Sequence, residues 1–308
     1  MSTALGLGID AGGTHTRWAL ARPDGAIVAS GEAGGISAHL MNTTEGRQRI
    51  RDVMAEVAKG ALAAGRPGRV QAGVTGLPDT DPALRTLLAE PFGLQDEAVT
   101  VQSDIVFAYL GQFRPGEGYV VYAGTGSVAA FIDAQGTLHR AGGRGAILDD
   151  GGGGFWIARE ALRHVWRAED ERPGAWRESA MARELLEAVG GPDWSHTREY
   201  VYGGDRGKVG LLSLALARTA DTDPQARAIL VAAGGELARL ARALIGRHGP
   251  RPVALAGRVL ELHPLVADSM RAALPGVELS VRASRAHHAA ARIAARAARG
   301  VPAPGRTA

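Results

Sequence analysis

Two hydrophobic patterns alternate along the first third of the chain, one typical of short buried strands and one of amphipathic helices. Short apolar runs bounded by glycine or turn residues predict strands, and apolar residues recurring every three or four positions predict helices. The predicted strands are 5–10, 16–20, 26–30, 70–74 and 98–101, and the predicted helices are 44–64, 82–90 and 105–112. The first glycine turn leads into a β-hairpin, whereas a Rossmann unit would have a helix there.

The same succession begins again after residue 114. Predicted strands at 118–122 and 128–133 flank a second glycine turn, roughly 110 residues after the first, which indicates an internal duplication. Helical patterns follow at 155–167 and through 180–247, then a strand at 253–256 and a helix at 285–298. We therefore predict α/β domains at 1–114 and 115–284, a helix at 285–298 that can pack back on the first domain, and a disordered tail at 299–308.

Composition and charge narrow the function classes. Apolar residues make up 45% and charged residues 22% of the 308 residues, as is ordinary for a soluble globular protein. No apolar run is long enough to cross a membrane and no signal peptide is visible, so we expect a cytoplasmic protein with no membrane partner. Cysteine is absent, which excludes disulfides and cysteine-ligated zinc or iron–sulfur sites. A net charge of +3 with scattered arginines does not favour a nucleic-acid partner.

Two glycine turns are candidate phosphate-binding loops, because glycine lets the backbone approach a phosphate and successive amides can donate to its oxygens. In the first turn, Asp10 at the strand end could hold a divalent cation through water, or it could simply cap a hairpin. Two such turns are a stronger signal than one, because domains that each contribute a loop can clamp a nucleotide between them. The candidate phosphate-binding residues are Asp10, Gly12, Gly13, Thr14 and Thr16 in the first turn and Gly124, Thr125, Gly126 and Ser127 in the second.

Three carboxylates are candidates for chemistry on a hydroxyl group. Asp104 stands between a predicted strand and a predicted helix, where a general base could reach a substrate, although helix capping is the alternative. Asp149 and Asp150 precede a run of four glycines; they could bind sugar hydroxyls or a metal, or cap the following helix.

Gly257 ends a strand against which an adenine and ribose could lie, unless it is an ordinary strand–turn joint. We interpret His287 and His288 as packing or surface residues.

The order of these motifs resembles the N-acetylglucosamine kinase family, in the BadF/BadG/BcrA/BcrD-type branch of the actin-like ATPases. The resemblance covers about residues 5–298 and is most specific over 122–161, where the Gly-Thr-Gly-Ser turn, the glycine loop and Phe155-Trp156-Ile157 follow in order. It implies two ribonuclease H-like domains with a central cleft that close on ATP and Mg²⁺. The implied reaction is ATP-dependent phosphorylation of the 6-hydroxyl of an amino sugar.

The resemblance also implies roles for particular residues. Asp104 would be the catalytic base, Asp150 would hold sugar hydroxyls, and Asp10 would bind Mg²⁺ through water. Nucleoside-binding glycines would be Gly234, Gly235 and Gly257. We expect the substrate site to contain Thr75, Gly76, Asp104, Gly143, Arg144, Gly145, Asp149 and Asp150. A homodimer is expected as well.

The chain departs from the family pattern around the sugar. Arg144 replaces a tryptophan, Gly151 replaces a glutamate, and residues 37–40 replace an asparagine-containing loop. We therefore predict a different amino sugar, or a broader set, than N-acetylglucosamine. Arg144 suits a carboxylate or phosphate, whereas Asp149 could pair with Arg144 or meet the ammonium of glucosamine. A sugar with a free amine is slightly favoured as the substrate, because the two negative charges of Asp149 and Asp150 outweigh the single positive charge of Arg144.

Three other functions compete with a kinase. An activator ATPase of the same branch would need cysteine ligands for its iron–sulfur cluster, and a sugar-responsive repressor would need a DNA-binding domain ahead of the motif that begins at residue 5. A non-catalytic or ATP-hydrolysing sugar sensor fits the same motifs.

Overall fold

Two five-stranded sheets organise the chain, one in each of two α/β units. The computed structural model describes residues 5–77, 81–283 and 285–299. The first unit contains the residues up to 116, residues 132–138 and the residues after 283, and the second contains 117–131 and 139–283. The predicted disordered tail lies outside the described residues apart from Arg299.

The first sheet has the order β3-β2-β1-β4-β5. Neighbours among the first three strands are antiparallel, whereas β4 runs parallel to β1 and β5 runs parallel to β4. The carboxyl ends of β1, β4 and β5 therefore meet at one edge of the sheet. The strands are β1 (Leu5–Ala11), β2 (His15–Ala21), β3 (Ile27–Gly34), β4 (Pro67–Val74) and β5 (Val99–Ser103), and the helices α1 (Thr44–Ala64), α2 (Pro82–Ala89) and α3 (Asp104–Leu110) lie among them in sequence.

The second sheet repeats this arrangement. Its order is β10-β9-β6-β7-β8, so that β6, with an antiparallel β7 on one side and a parallel β9 on the other, has the place that β1 has in the first sheet. Its strands are β6 (Tyr119–Ala123), β7 (Ser127–Ile132), β8 (Leu138–Gly142), β9 (Val253–Ala256) and β10 (Leu279–Val281). The remaining helices are α4 (Gly154–Glu171), α5 (Ala180–Val189), α6 (Trp194–Tyr202), α7 (Arg206–Gly210), α8 (Ser213–Thr219), α9 (Pro224–His248), α10 (Pro264–Ala272) and α11 (Ala286–Ala297).

The first sheet is covered on its two faces by different kinds of packing. Leu7 and Ile9 of β1 belong to a large apolar core that includes the buried face of α1. On the opposite face, α11 lies directly on β1. A Cβ added at Gly8 would stand 2.1 Å from Ala291 N and 2.2 Å from the His287 carbonyl oxygen. The helix backbone thus approaches so closely that only glycine fits beneath it.

We predict that Gly8→Ala strongly destabilises the protein. The clash is with helix backbone, which no side-chain rotation can relieve, so the cost should reach or exceed the usual overpacking range of about 1–3 kcal/mol. Urea unfolding measures the change, and an unaltered free energy of unfolding would contradict this packing. Gly246→Ala is the control, because nothing lies within 4 Å of a Cβ added there in α9, and alanine should gain up to about 1 kcal/mol of helix propensity.

Candidate active site

Asp10 and Asp104 come together at the carboxyl edge of the first sheet. Asp10 is in register with Gly73 of β4, and Asp104 follows β5, the next strand along. A Cβ at Gly73 would lie 3.0 Å from Asp104 Cα and 2.9 Å from the Phe107 ring. Glycine at this position therefore lets α3 approach the sheet, and both carboxylates face the same side of it.

The environment of Asp10 disfavours its negative charge. The pKa of Asp10 is raised to about 7, chiefly by burial and also by the nearby Asp104 carboxylate, while Arg17 acts in the opposite direction. Arg17 is the cross-strand partner of Asp10 on β2, and its guanidinium Nε donates to Glu32 Oε1 at 2.7 Å. At neutral pH Asp10 is thus poised between its two forms, and a bound cation would favour the ionised one.

The Asp104 carboxylate is held by local hydrogen bonds in the first turn of α3, whose N-cap residue is Ser103. Asp104 Oδ1 accepts hydrogen bonds from the Ile105 amide at 2.8 Å and from the Ser103 hydroxyl at 3.3 Å, which holds the carboxylate at the start of α3. It also lies close enough to Asp10 to influence the pKa of that residue. The local hydrogen bonds of Asp104 therefore do not prevent its carboxylate from lying close to that of Asp10.

Close backbone contacts hold the first glycine turn in place, and Gly13 within it is open to solvent. The Gly12 amide donates to the His15 carbonyl at 3.0 Å, and a Cβ at Gly35 would lie 2.3 Å from Gly13 O. Gly13 itself is exposed, with nothing within 4 Å of an added Cβ. Thr16 differs from the rest, because it pairs with the core residue Ala11 and so lies on the opposite face from Asp10. Its hydroxyl is fully buried and has no hydrogen-bond partner in the described part of the chain.

The loop after β4 contacts residues 37–40, the loop that differs from the family pattern. The Thr75 amide donates to Ala11 O at 2.9 Å, and the Thr75 carbonyl accepts from the Ala38 amide at 3.0 Å. Gly76 has φ +73°, and a Cβ there would stand 2.8 Å from His39 Nε2. The exposed His39 ring therefore lies against Gly76, a contact that no local pattern in the sequence indicates.

The second glycine turn is enclosed by the glycine run that precedes α4. A Cβ at Gly126 would lie 2.6 Å from Asp150 Oδ2, and one at Gly153 would lie 2.7 Å from the Gly126 carbonyl carbon. The Ser127 hydroxyl donates to Gly151 O at 2.7 Å. The start of α4 is joined to the turn as well, because the amides of Gly154 and Phe155 donate to the carbonyls of Gly124 and Thr125.

Asp150 is buried against the second glycine turn, with its carboxylate next to Gly126. It is 5% exposed and has φ +57°, a left-handed conformation that aspartate tolerates better than most residues. Burial raises its pKa, while Arg206 and hydrogen bonds from the backbone of Ser127 and Gly145 act in the opposite direction. The carboxylate that the resemblance assigned to sugar hydroxyls is thus engaged with its own backbone.

Asp149 pairs with an arginine that the sequence did not suggest. Its Oδ1 is 2.9 Å from Arg239 Nη2, and Arg239 Nε is 2.8 Å from Glu236 Oε2. Pairing of Asp149 with Arg144 is therefore wrong, and Arg144 is exposed without an ion pair among the residues that the structure describes. Gly151 lies against the same network, since a Cβ there would stand 2.8 Å from Glu236 Oε2. A carboxylate from α9 thus lies beside position 151, where the family pattern has a glutamate.

The three candidate nucleoside-binding glycines have different surroundings. A Cβ at Gly234 would be 2.0 Å from Ser269 Oγ, so this glycine serves the contact between α9 and α10. Gly235 has open space around an added Cβ. Gly257 has φ +108° and lies against the end of β6, where a Cβ would be 2.2 Å from Ala123 O. Of the three, Gly235 leaves most room for a ligand.

Two further observations concern groups of possible metal ligands and the length of apolar helices. Across residues 5–77, 81–283 and 285–299, no three His, Cys, Asp or Glu side chains are grouped so that they could hold a metal ion. None of the helices in this part of the chain is long and apolar enough to cross a membrane.

We predict that Asp10 makes stability depend on pH when divalent cations and nucleotide are absent. A folded-state pKa of about 7 against an ordinary 3.8 means that the folded protein retains a proton that the unfolded chain releases. The stabilisation is complete below about pH 4 and is lost as the pH rises through about 7, with about 1.4 kcal/mol per unit as its upper limit.

Urea unfolding at about pH 5 and about pH 8 tests this dependence. The loss of stability between the two pH values should be smaller in Asp10→Asn than in the wild type. Asp52→Asn, on the exposed face of α1, should retain the wild-type dependence. Equal losses in all three proteins would contradict the environment described for Asp10.

Two α/β units of equal strand order, each with a glycine turn beside a carboxylate, define an actin-like ATPase fold. The chain belongs to the BadF/BadG/BcrA/BcrD ATPase family, whose sequence model matches residues 7–290. The predicted family and fold class are therefore confirmed.

Solved structures share this fold at low sequence identity. A candidate N-acetylglucosamine kinase from Chromobacterium violaceum is 24% identical and superposes with a TM-score of 0.72 over 94% of this chain and 98% of its own. A ROK family glucokinase from Streptomyces griseus, solved with glucose and AMPPNP, is 19% identical, with a TM-score of 0.64 over 96% of this chain and all of its own.

A curated relative matches a shorter segment. N-acetyl-D-glucosamine kinase from Dictyostelium discoideum is 33% identical over 72 residues, which is 23% of this chain. The matched segment spans 22% of the length of that relative.

Proposed function

We propose that this protein is an ATP-dependent kinase that phosphorylates the 6-hydroxyl of a hexosamine. The observation that carries the proposal is the proximity of Asp10 and Asp104 at the sheet edge next to the first glycine turn. One carboxylate can serve a metal–nucleotide complex while its neighbour takes a proton from a hydroxyl. Membership of an ATPase family and the kinase names of similar proteins support it.

Asp104 is proposed as the general base. The Ile105 amide fixes one carboxylate oxygen, so the carboxylate has a defined orientation at the edge of the sheet. As the sugar oxygen attacks the γ-phosphate, its proton passes to Asp104, the new O–P bond forms, and the bond from the γ-phosphate to the bridging oxygen breaks, which releases ADP.

The residues present fit a nucleotide-bound Mg²⁺. Asp10 offers a carboxylate oxygen of the kind Mg²⁺ prefers, and in the described residues no group of three or more acidic, histidine or cysteine side chains forms a protein cage for a metal. We therefore propose that Asp10 contacts the ion through water, as is usual for a cation bound mainly by substrate phosphates. When bound, Mg²⁺ would neutralise charge on the transferred phosphate.

The charges around the second turn alter the proposed choice of sugar. Asp149 is paired with Arg239 and Asp150 is buried under the turn, which makes both less available to the ammonium of glucosamine. Arg144 is the exposed charge in this loop. We therefore propose an N-acylated hexosamine, neutral or bearing a carboxylate, in place of the free-amine sugar that the sequence favoured. The homodimer and the cytoplasmic location stay predictions.

We predict that Asp104→Asn abolishes most phosphoryl transfer and leaves nucleotide binding nearly unchanged. Loss of a general base should reduce kcat by roughly 10²–10⁴-fold. A coupled assay of ADP release gives kcat, and calorimetry with a non-hydrolysable ATP analogue gives the affinity. Asp52→Asn should match the wild type in both. An Asp104→Asn enzyme that retained more than about a tenth of wild-type kcat would contradict the assignment.

We predict that N-acylated hexosamines are better substrates than glucosamine by at least about tenfold in kcat/KM, which is about 1.4 kcal/mol. The panel is glucosamine, N-acetylglucosamine, N-acetylmannosamine, N-acetylmuramic acid and glucose. A preference for glucosamine would mean that the pairing of Asp149 with Arg239 does not control the choice of sugar. ATP hydrolysis that no sugar in the panel converts into sugar phosphate would instead support an ATP-hydrolysing sensor.

A further inference from the structure

Arg206 lies beside the second glycine turn on a short helix that is packed against it. A Cβ at Gly210, the last residue of α7, would lie 3.4 Å from the Phe155 amide and 3.7 Å from Thr125 Cγ2. The other end of α7 is capped by Asp205, whose carboxylate accepts from the Lys208 amide at 2.8 Å. The helix therefore holds Arg206 at a defined place near the turn.

The guanidinium of Arg206 is only partly engaged by protein. Its Nη1 is 3.8 Å from Asp150 Oδ2, which is beyond hydrogen-bond distance, and its side chain is 58% exposed. The Asp150 carboxylate also accepts from the backbone of Ser127 and Gly145. The other cation on α7 is directed elsewhere, because Lys208 Nζ lies over the Tyr200 ring at 4.5 Å. Arg206 thus has donors to offer to a further acceptor.

The second turn also presents an electrostatic problem that a cation would solve. The buried Asp150 carboxylate stands directly against Gly126, in the turn that is proposed to hold phosphates. Two anions brought together in a partly buried site repel each other more strongly than in water. A guanidinium that can approach both groups would offset this repulsion, and its planar array of donors suits phosphate oxygens.

We propose that Arg206 binds the phosphates of the nucleotide at the second glycine turn, with Asp150 orienting its guanidinium. The inference rests on the proposed kinase function and on the prediction that this second turn, Gly124 to Ser127, holds the phosphates of ATP. Arg206 lies far along the chain from the turn, in the glycine-containing segment 203–210, which is not among the predicted phosphate-binding loops.

Calorimetric titration of wild type and variants with AMPPNP, ADP and adenosine tests the proposal. Arg206→Gln should weaken AMPPNP binding by roughly tenfold or more, weaken ADP binding less, and leave adenosine binding unchanged. Arg206→Lys should recover part of the affinity, and the unfolding midpoint of Arg206→Gln without nucleotide should match the wild type. Arg218→Gln is the matched control, because Arg218 has a similar 55% exposure and pairs with Glu184 on a different helix.

The Asp150→Asn background separates direct binding from simple neutralisation. Asparagine tolerates the left-handed conformation and keeps an acceptor oxygen. If Arg206 contacts phosphate, Arg206→Gln should still weaken AMPPNP binding there; if it only neutralises Asp150, the effect should disappear, which would overturn the proposal. Equal AMPPNP affinity of wild type and Arg206→Gln would also overturn it while leaving the proposed kinase function intact. A wild-type protein that binds none of the three ligands would overturn both.

Discussion

The structure depends on holding a carboxylate, partly withdrawn from water, beside a backbone turn in each unit. Asp10 and Asp150 both have raised pKa values with burial as the main cause, and each is faced by an arginine that acts against the shift. Such an arrangement is costly without a ligand, since burial disfavours the charged form. A nearby positive charge offsets this cost, as Arg17 does for Asp10 and Arg206 does for Asp150.

The duplicated topology uses its two carboxylates differently. Asp10 ends a central strand, so it reaches the sheet edge where a second carboxylate, Asp104, also arrives. Asp150 comes from the loop after β8 and lies beneath its turn, where backbone amides hold it. The first unit therefore brings two carboxylate side chains to one edge of its sheet, whereas the second has a carboxylate that supports a backbone turn.

The loop that contains Arg144 and Asp149 lies next to charged side chains from α9. The carboxylate of Glu236 lies where a side chain at Gly151 would go, and Arg239 joins it to Asp149. Acidic groups counted from the sequence alone therefore overstate the negative charge that a substrate would meet. The exposed Arg144 remains, and this balance is why we favour an N-acylated sugar over a free amine.

The sequence by itself determined most of the elements and the two glycine turns, because these depend on neighbours within a few positions, and the repeated order of the elements indicated the duplication. Apolar periodicity predicted the long helices and central strands, whereas β8, β10 and α10 were not predicted, because short elements carry too little periodic pattern. Tertiary structure alone decided that Thr16 faces the core, that His39 covers Gly76, that Asp149 pairs with Arg239 and that Arg206 reaches Asp150. These outcomes depend on which face a strand presents and on contacts between segments far apart in sequence, and no local pattern carries that information.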